Sequence, residues 1–152
     1  MIIKTRNLSK QILFNKEKLD ILSDINLEVN ESSSIAITGP SGSGKSTLLS
    51  ILAGLDLPSS GEIFLDNNPL HALSEEQRAI VRKDSVAFVF QNFELLPGLT
   101  AIENVMLPLE LKAKNKAKNV AKNIIQKVDL LHRNDHYPKQ LTAREQQTVA
   151  IA

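Results

Sequence analysis

The chain has no cysteine. That excludes disulfides and thiolate metal sites and is compatible with a reducing compartment. No cluster of histidine or cysteine at metal-ligand spacing is present either. No stretch approaches the roughly 18 consecutive apolar residues that a membrane-spanning helix needs. Met1 to Phe14 carries Lys4, Arg6, Asn7 and Lys10 where a signal peptide would place its apolar core, so no leader is expected. The formal net charge of +1 supplies no global field to attract nucleic acid or anionic membrane. No internal repeat is found. What remains is ordinary for a globular chain: 152 residues, 42% apolar and 23% charged. This length suits one domain with a real core, or a piece of something larger.

One run stands out against this plain background. Gly39-Pro40-Ser41-Gly42-Ser43-Gly44-Lys45-Ser46-Thr47 fits G-x-x-x-x-G-K-[ST], the phosphate-binding loop of nucleoside triphosphatases. Glycines let successive backbone N–H groups point at phosphate oxygens with no Cβ in the way. Lys45 brings a mobile point charge for the β- and γ-phosphates, and the Ser46 hydroxyl is placed to ligate Mg²⁺. The flanks agree with this reading. Ser34 to Thr38 predicts a short buried strand. Lys45 to Gly54 predicts a helix whose N-terminus faces the phosphates, with Gly54 as its cap. A plain Gly/Ser turn is the bland alternative, and strand, loop and helix in this order count against it.

Elsewhere the pattern mixes strand and helix. Ile25, Leu27 and Val29 alternate with polar residues, and the first thirty residues read as antiparallel strands. Gly61 to Asp66 is a further strand, ended by the turn-prone Asn67-Asn68-Pro69. Ser74 with Gln77, Thr100 with Glu103 and Thr142 with Glu145 form capping boxes that open three helices. The first of these helices runs to about Lys83, and the second runs until Pro108 disturbs it. Val86 to Phe90 is continuously apolar, as a strand buried on both faces would be. Lys112 to Leu131 has helical spacing, and His132 to Pro138 reads as a loop. The chain stops at Ala152, two to three turns into the last helix, which looks like a cut.

With the phosphate loop, Gln91 and the stretch 137–152 in view, nearly the whole chain resembles the ATP-binding subunit of ABC transporters. Within that family it is most similar to the ATPases of lipoprotein-releasing and macrolide-exporting systems. The likeness is carried by Leu22-Ser23-Asp24-Ile25-Asn26-Leu27, Ile51-Leu52-Ala53-Gly54-Leu55-Asp56, Ser60-Gly61-Glu62-Ile63, Phe88-Val89-Phe90-Gln91-Asn92-Phe93, and Leu95-Leu96-Pro97 through Glu103-Asn104-Val105-Met106-Leu107-Pro108.

The resemblance implies an α/β fold. Its parts are a P-loop NTPase core, here incomplete, an N-terminal antiparallel β-subdomain and an α-helical subdomain at about residues 92–140. It implies ATP and Mg²⁺ as cofactors, with Gln91 as the glutamine that reaches Mg²⁺ and the attacking water. The implied partners are a transmembrane permease subunit and a second ATP-binding subunit, with no nucleic acid. The implied place is cytoplasmic, peripheral to the inner membrane through the permease. Phe93, Leu95, Leu96 and Pro97 lie where the family meets that permease; interface and core are both open readings for them.

Three departures qualify the match. The position of the family's adenine-stacking aromatic holds Ile12, with Phe14 two residues on, and an aliphatic side chain offers no π-face. The signature stretch reads Leu141-Thr142-Ala143-Arg144-Glu145 where the family has Leu-Ser-Gly-Gly-Glu. Thr142 keeps a hydroxyl and Glu145 keeps the capping box. Ala143 and Arg144 put side chains where glycines allow close approach to phosphate. Thr148 replaces the family's arginine in the following Gln-Gln-Arg run. Residues 1–152 also contain neither the Walker B strand with its aspartate and catalytic glutamate nor the switch histidine, and His71, His132 and His136 do not take that place. The expectation is therefore an exporter-type ATP-binding subunit that by itself hydrolyses ATP poorly, with the Ile35–Thr38 strand left with an open, apolar edge.

A non-hydrolytic nucleotide-binding remnant or regulatory protein is the rival reading. A kinase or GTPase is weaker, for no Asn-Lys-x-Asp guanine motif occurs. Lys112, Lys114, Lys116, Lys118, Lys122 and Lys127 form a basic segment. It reads either as a solvated helix face or as a contact for anionic headgroups or an acidic partner.

Overall fold

The structure, a computed structural model, describes residues 1–112 and 116–152. It divides into two compact units, Met1–Ala87 and Phe88–Ala152.

The first unit is built on a four-stranded antiparallel sheet of order β2-β1-β3-β4. β1 (Ile3–Phe14) and β2 (Glu17–Val29) form a hairpin closed by Asn15 and Lys16, both at positive φ, the geometry a tight hairpin turn demands. β3 (Ser60–Leu65) pairs with β1, Ile3 opposite Leu65 and Thr5 opposite Ile63. The two-residue β4 (Asn68–Pro69) turns back onto β3. Alternation along β2 is as the sequence predicts, with Ile25, Leu27 and Val29 half-buried and their neighbours exposed. The inner face holds Leu8, Leu22, Ile63 and Leu65, and α1 (Lys45–Leu52) lays Leu48, Ile51 and Leu52 into the same core.

A Schellman pair ends α1: Leu55 N–H donates to Ser50 O at 2.9 Å and Gly54 N–H to Ile51 O at 2.9 Å. α2 (Glu75–Ser85) starts at the predicted Ser74–Gln77 capping box. Its Arg82 reaches the Gly54 carbonyl at 2.8 Å and so satisfies an acceptor just beyond the end of α1.

In the second unit, α3 (Ala101–Leu111), α4 (Ala117–Lys127) and α5 (Ala143–Ile151) surround a separate core of Ala101, Ile102, Val105, Ala121, Ile125 and Val149. Thr100 with Glu103 and Thr142 with Glu145 form their capping boxes as expected. The Asn104 side chain ties down the loop before α3. Its Oδ1 accepts from Leu96 N at 2.8 Å, and its Nδ2 donates to Leu99 O at 3.0 Å and Thr100 O at 2.9 Å. With a net worth near 1 kcal/mol per bond, Asn104→Ala is expected to cost about 2–3 kcal/mol. Urea denaturation of the variant checks this, and a loss under about 0.5 kcal/mol would show that the loop holds without the clamp.

The structure corrects four sequence expectations. Ser34 to Thr38 is not a strand, and Ile35 is 51% exposed. Val86 to Phe90 is likewise outside any ladder, with Val89 and Phe90 more than two-fifths exposed. The cause is the same in both cases: an interior strand exists through its neighbours' hydrogen bonds, and no strand among the described residues pairs with either segment. Third, Pro108 does not end its helix, which continues to Leu111. A proline inside a helix removes one i→i−4 bond, and packing of Val105 before it and Leu109 after it on the same core holds the helix across that gap. Fourth, the helix expected over 112–131 is shorter. α4 begins after Lys116 at φ 71 and ends before Asp129 at φ 60, left-handed positions that an α-helix does not contain. Leu131–Arg133 forms a 3-10 turn. Lys114 lies outside the described residues, while Lys118, Lys122 and Lys127 are exposed on α4.

Candidate phosphate-binding site

The loop Gly39–Thr47 closes on itself within the first unit. Ser43 N–H donates to Pro40 O at 3.3 Å, and Leu48 N–H donates to Gly44 O at 2.8 Å as α1 starts. Gly44 is the N-cap of α1 at φ 84, ψ 5, with no side-chain cap and no acidic residue in the first turn. The helix therefore presents its first-turn N–H groups and positive dipole end with no carboxylate of its own competing for them. A Cβ on Gly44 would lie 2.7 Å from the Ile21 carbonyl oxygen and 3.0 Å from Leu22 Cδ2. The hairpin strand β2 thus sits directly against the loop, and only glycine fits between them.

Lys45 is the first residue of α1. Its Nζ donates to the carbonyls of Gly39 at 2.9 Å and Pro40 at 2.6 Å, folding the ammonium across the loop opening. Pro40, Ser41, Gly42, Ser43 and Ser46 are exposed, and Thr47 is half-buried. The arrangement offers a fixed arc of backbone donors, one cation and an exposed hydroxyl at a helix N-terminus, the donor set of an anion-binding cradle. At the far end of the β1–β2 hairpin, Ile12 is 41% and Phe14 64% exposed.

The remaining sequence-predicted residues lie in the second unit. Gln91 is exposed in the turn Gln91-Asn92. Phe93 and Leu95 are half-buried, and Leu96 and Pro97 are exposed. Phe93, Leu95 and Leu96 line a cavity of about 270 Å³ with Val105, Pro108 and Val149. Leu141 is buried in the core, and Ala143 and Arg144 are exposed.

Thr142 is the N-cap of α5, and its hydroxyl is engaged in both directions. Oγ1 accepts from Glu145 N–H at 3.3 Å and donates to Glu145 Oε2 at 2.9 Å. Thr142 N–H also donates to Glu145 Oε2, at 2.7 Å. Arg133 donates from Nε to Glu145 Oε1 at 3.0 Å. Sequence reading missed Arg133 and Asn104: each is a lone polar residue whose partners the fold chooses. The Thr142 backbone and hydroxyl, and after them Arg133, hold the Glu145 carboxyl below its ordinary 4.5. The Thr100 backbone and hydroxyl do the same for Glu103.

A carboxylate whose value is lower in the folded chain stabilises the fold above its unfolded value, and that stabilisation is lost as pH falls through the folded one. Both capping boxes are therefore expected to stay intact down to about pH 4.5 and to open below it. Exchange of the Thr100 and Thr142 amides, which donate to the two carboxylates, followed from pH 6 to pH 3 measures this. Exchange corrected for its intrinsic pH dependence and unchanged across that range would show that the carboxylates do not hold the caps.

The family described as ABC transporter matches residues 22–152. An Escherichia coli K12 protein described as an uncharacterized ABC transporter ATP-binding protein, YbbA, is 47% identical over 153 aligned positions, with 99% of this chain and 67% of the relative covered. The lipoprotein-releasing system ATP-binding protein LolD of Saccharophagus degradans is 42% identical with the same coverage. The ATP-binding cassette MJ0796, solved as a dimer in a post-hydrolysis state bound to ADP and Pi, superposes with a TM-score of 0.93 at 37% identity, across 99% of this chain and 67% of that one. The chain thus spans about two thirds of the length of the proteins it resembles. Among the described residues, no helix is long and apolar enough to cross a membrane.

Proposed function

The chain belongs to the ABC transporter family as an ATP-binding subunit, and on that premise we propose that it binds Mg-ATP through Gly39–Thr47 and Gln91 to energise an exporter-type membrane partner. The observation that carries this reading is the start of α1. Its first-turn amides are uncapped, Gly44 fills a space that admits no Cβ, and Lys45 lies across the loop. These features fit a triphosphate. The N–H groups would hold phosphate oxygens, Lys45 would leave the Gly39 and Pro40 carbonyls for the β- and γ-phosphates, and the Ser46 hydroxyl would ligate Mg²⁺, with Gln91 proposed as a metal-side residue on the family resemblance alone. When bound, the metal neutralises phosphate charge. Adenine would stack on the exposed Phe14 ring, since Ile12 has no π-face. MJ0796 is a dimer in its solved structures. A second ATP-binding subunit and a transmembrane permease are the partners proposed here, at the cytoplasmic face of the inner membrane, with residues 92–140 as the helical subdomain.

Weak hydrolysis by residues 1–152 alone is part of the proposal. Within them no apolar strand ends in Asp-Glu to supply a metal ligand and a general base. The Thr142 hydroxyl proton is also committed to Glu145, and Ala143 and Arg144 put exposed side chains on the first turn of α5. The same observations favour the second reading, a nucleotide-binding regulator that does not turn over. Calorimetric titration with ATP and GTP, with and without Mg²⁺, is the test, followed by phosphate release. Magnesium-dependent heat with ATP supports the proposal. No heat with folded protein removes it, and rapid phosphate release removes the claim of weak hydrolysis.

A further inference from the structure

The segment Leu131–His136 touches the N-termini of two helices in the second unit at once. At α3 it supplies acceptors: Ala101 N–H donates to His136 O at 2.9 Å, and Ile102 N–H donates to Asn134 O at 3.0 Å. These are two of the orphan donors that every helix start must satisfy. At α5 it supplies a cation: Arg133 Nε donates to Glu145 Oε1, and the other carboxylate oxygen is the one that holds Thr142. Arg133 is itself braced, with one terminal nitrogen 3.3 Å from His136 Nε2. Leu131–Arg133 is wound as a 3-10 turn, Arg133 N–H donating to Leu130 O at 2.9 Å, so the guanidinium starts from a fixed backbone.

We propose that Arg133 is a positioning residue for the signature-like stretch: through Glu145 it sets the orientation of Thr142, and through its own loop it ties that cap to the start of α3. This inference rests on reading Leu141–Glu145 as the signature stretch of the proposed ATP-binding subunit. The argument is geometric. Glu145 has two oxygens, one given to Thr142 and one to Arg133, so rotation of the carboxylate cannot release one without straining the other. The Arg133 and Glu145 side chains are 37% and 18% exposed, an interaction only partly weakened by solvent. The α3 amides depend on carbonyls one and three residues beyond Arg133. A loop that loses its anchor at Arg133 frees both helix starts together, whereas damage confined to Thr142 frees one.

The test is amide exchange on the whole chain, read at Thr142 and Glu145 for α5 and at Ala101 and Ile102 for α3. With Arg133→Ala, both pairs are expected to exchange roughly tenfold faster. With Thr142→Ala, only Glu145 is expected to accelerate. Arg133→Lys, which keeps the charge but not the planar fork, should recover part of the protection. Unchanged exchange in Arg133→Ala, or acceleration confined to α5, overturns the proposal. Should Arg133→Ala not fold, Arg133→Gln is read by the same criteria. Calorimetry with Mg-ATP runs alongside. Wild-type protein that binds no nucleotide removes the proposed function, while the exchange pattern still decides whether Arg133 is the strut. Where the wild type self-associates with ATP, Arg133→Ala is expected to raise the half-saturating ATP several-fold with monomer binding unchanged, and equal half-saturation in both proteins overturns the positioning role.

Discussion

Lys45→Ala is expected to weaken Mg-ATP binding by about 10²-fold while leaving the fold intact. A hydrogen bond to a charged group contributes roughly 1.5–3 kcal/mol, and a hundredfold loss is about 2.7 kcal/mol. The structure explains why the effect falls on binding more than on folding. In the first unit the Lys45 ammonium is spent on two loop carbonyls, Gly39 O and Pro40 O, contacts that lie at the surface and that water can replace. Against phosphates, by contrast, it would be the loop's sole side-chain cation, because no other residue from Gly39 to Thr47 carries charge. Lys45→Arg makes the control: it keeps the charge on a longer, planar group that the small loop does not accommodate in the same place, so only partial recovery is expected. Calorimetry reads affinity and circular dichroism reads fold. Equal affinity in wild type and Lys45→Ala would mean that nucleotide, if bound, is held elsewhere.

The sequence revealed most where the physics is local. Each of the three capping boxes needs only residues three apart, and each stands where the spacing of Ser74 with Gln77, Thr100 with Glu103 and Thr142 with Glu145 places it. The phosphate loop is local too: glycine, lysine and serine at fixed offsets dictate both the turn and the chemistry. Alternation at Ile25, Leu27 and Val29 sufficed for the sheet, because one buried face imposes a period of two. The misreadings occur where structure depends on distant partners. Apolar runs at Ser34–Thr38 and Val86–Phe90 have strand composition, yet a strand is a relation between segments, and nothing in a run states whether its neighbour is present. Pro108 was misjudged for the mirror-image reason: burial around it outweighs a lost local bond. Lone polar residues were the least legible. Arg133 belongs to no pattern and Asn104 stands in a stretch of likeness that gives it no role, and their hydrogen bonds to Glu145 and to the Leu96–Thr100 loop exist only once the second unit has folded.

Gly44→Ala is expected to cost the first unit about 3 kcal/mol, and Gly42→Ala only about 1 kcal/mol. Both glycines lie at positive φ, 78 for Gly42 and 84 for Gly44, so both variants carry the left-handed penalty of roughly 1–2 kcal/mol for a residue with a Cβ. What differs is space. Around Gly42 nothing lies within 4 Å of the added carbon, while at Gly44 it meets the Ile21 carbonyl oxygen at 2.7 Å. That oxygen is backbone in β2 and unable to rotate away as a side chain tip would. Forcing an atom into such a site typically adds 1–3 kcal/mol. For a unit of this size each kcal/mol lowers the melting temperature by about 4–8 °C. Gly44→Ala is therefore expected to melt about 8–16 °C below Gly42→Ala, read by thermal denaturation of both variants. The two also separate stability from binding. Relieving the clash at position 44 would push the loop away from β2 and turn the first-turn amides of α1 off their common focus, so its nucleotide affinity should fall even at temperatures where the protein is fully folded. Equal melting temperatures would show that β2 yields to the added methyl. The close approach of hairpin and loop would then no longer be what holds the cradle in shape.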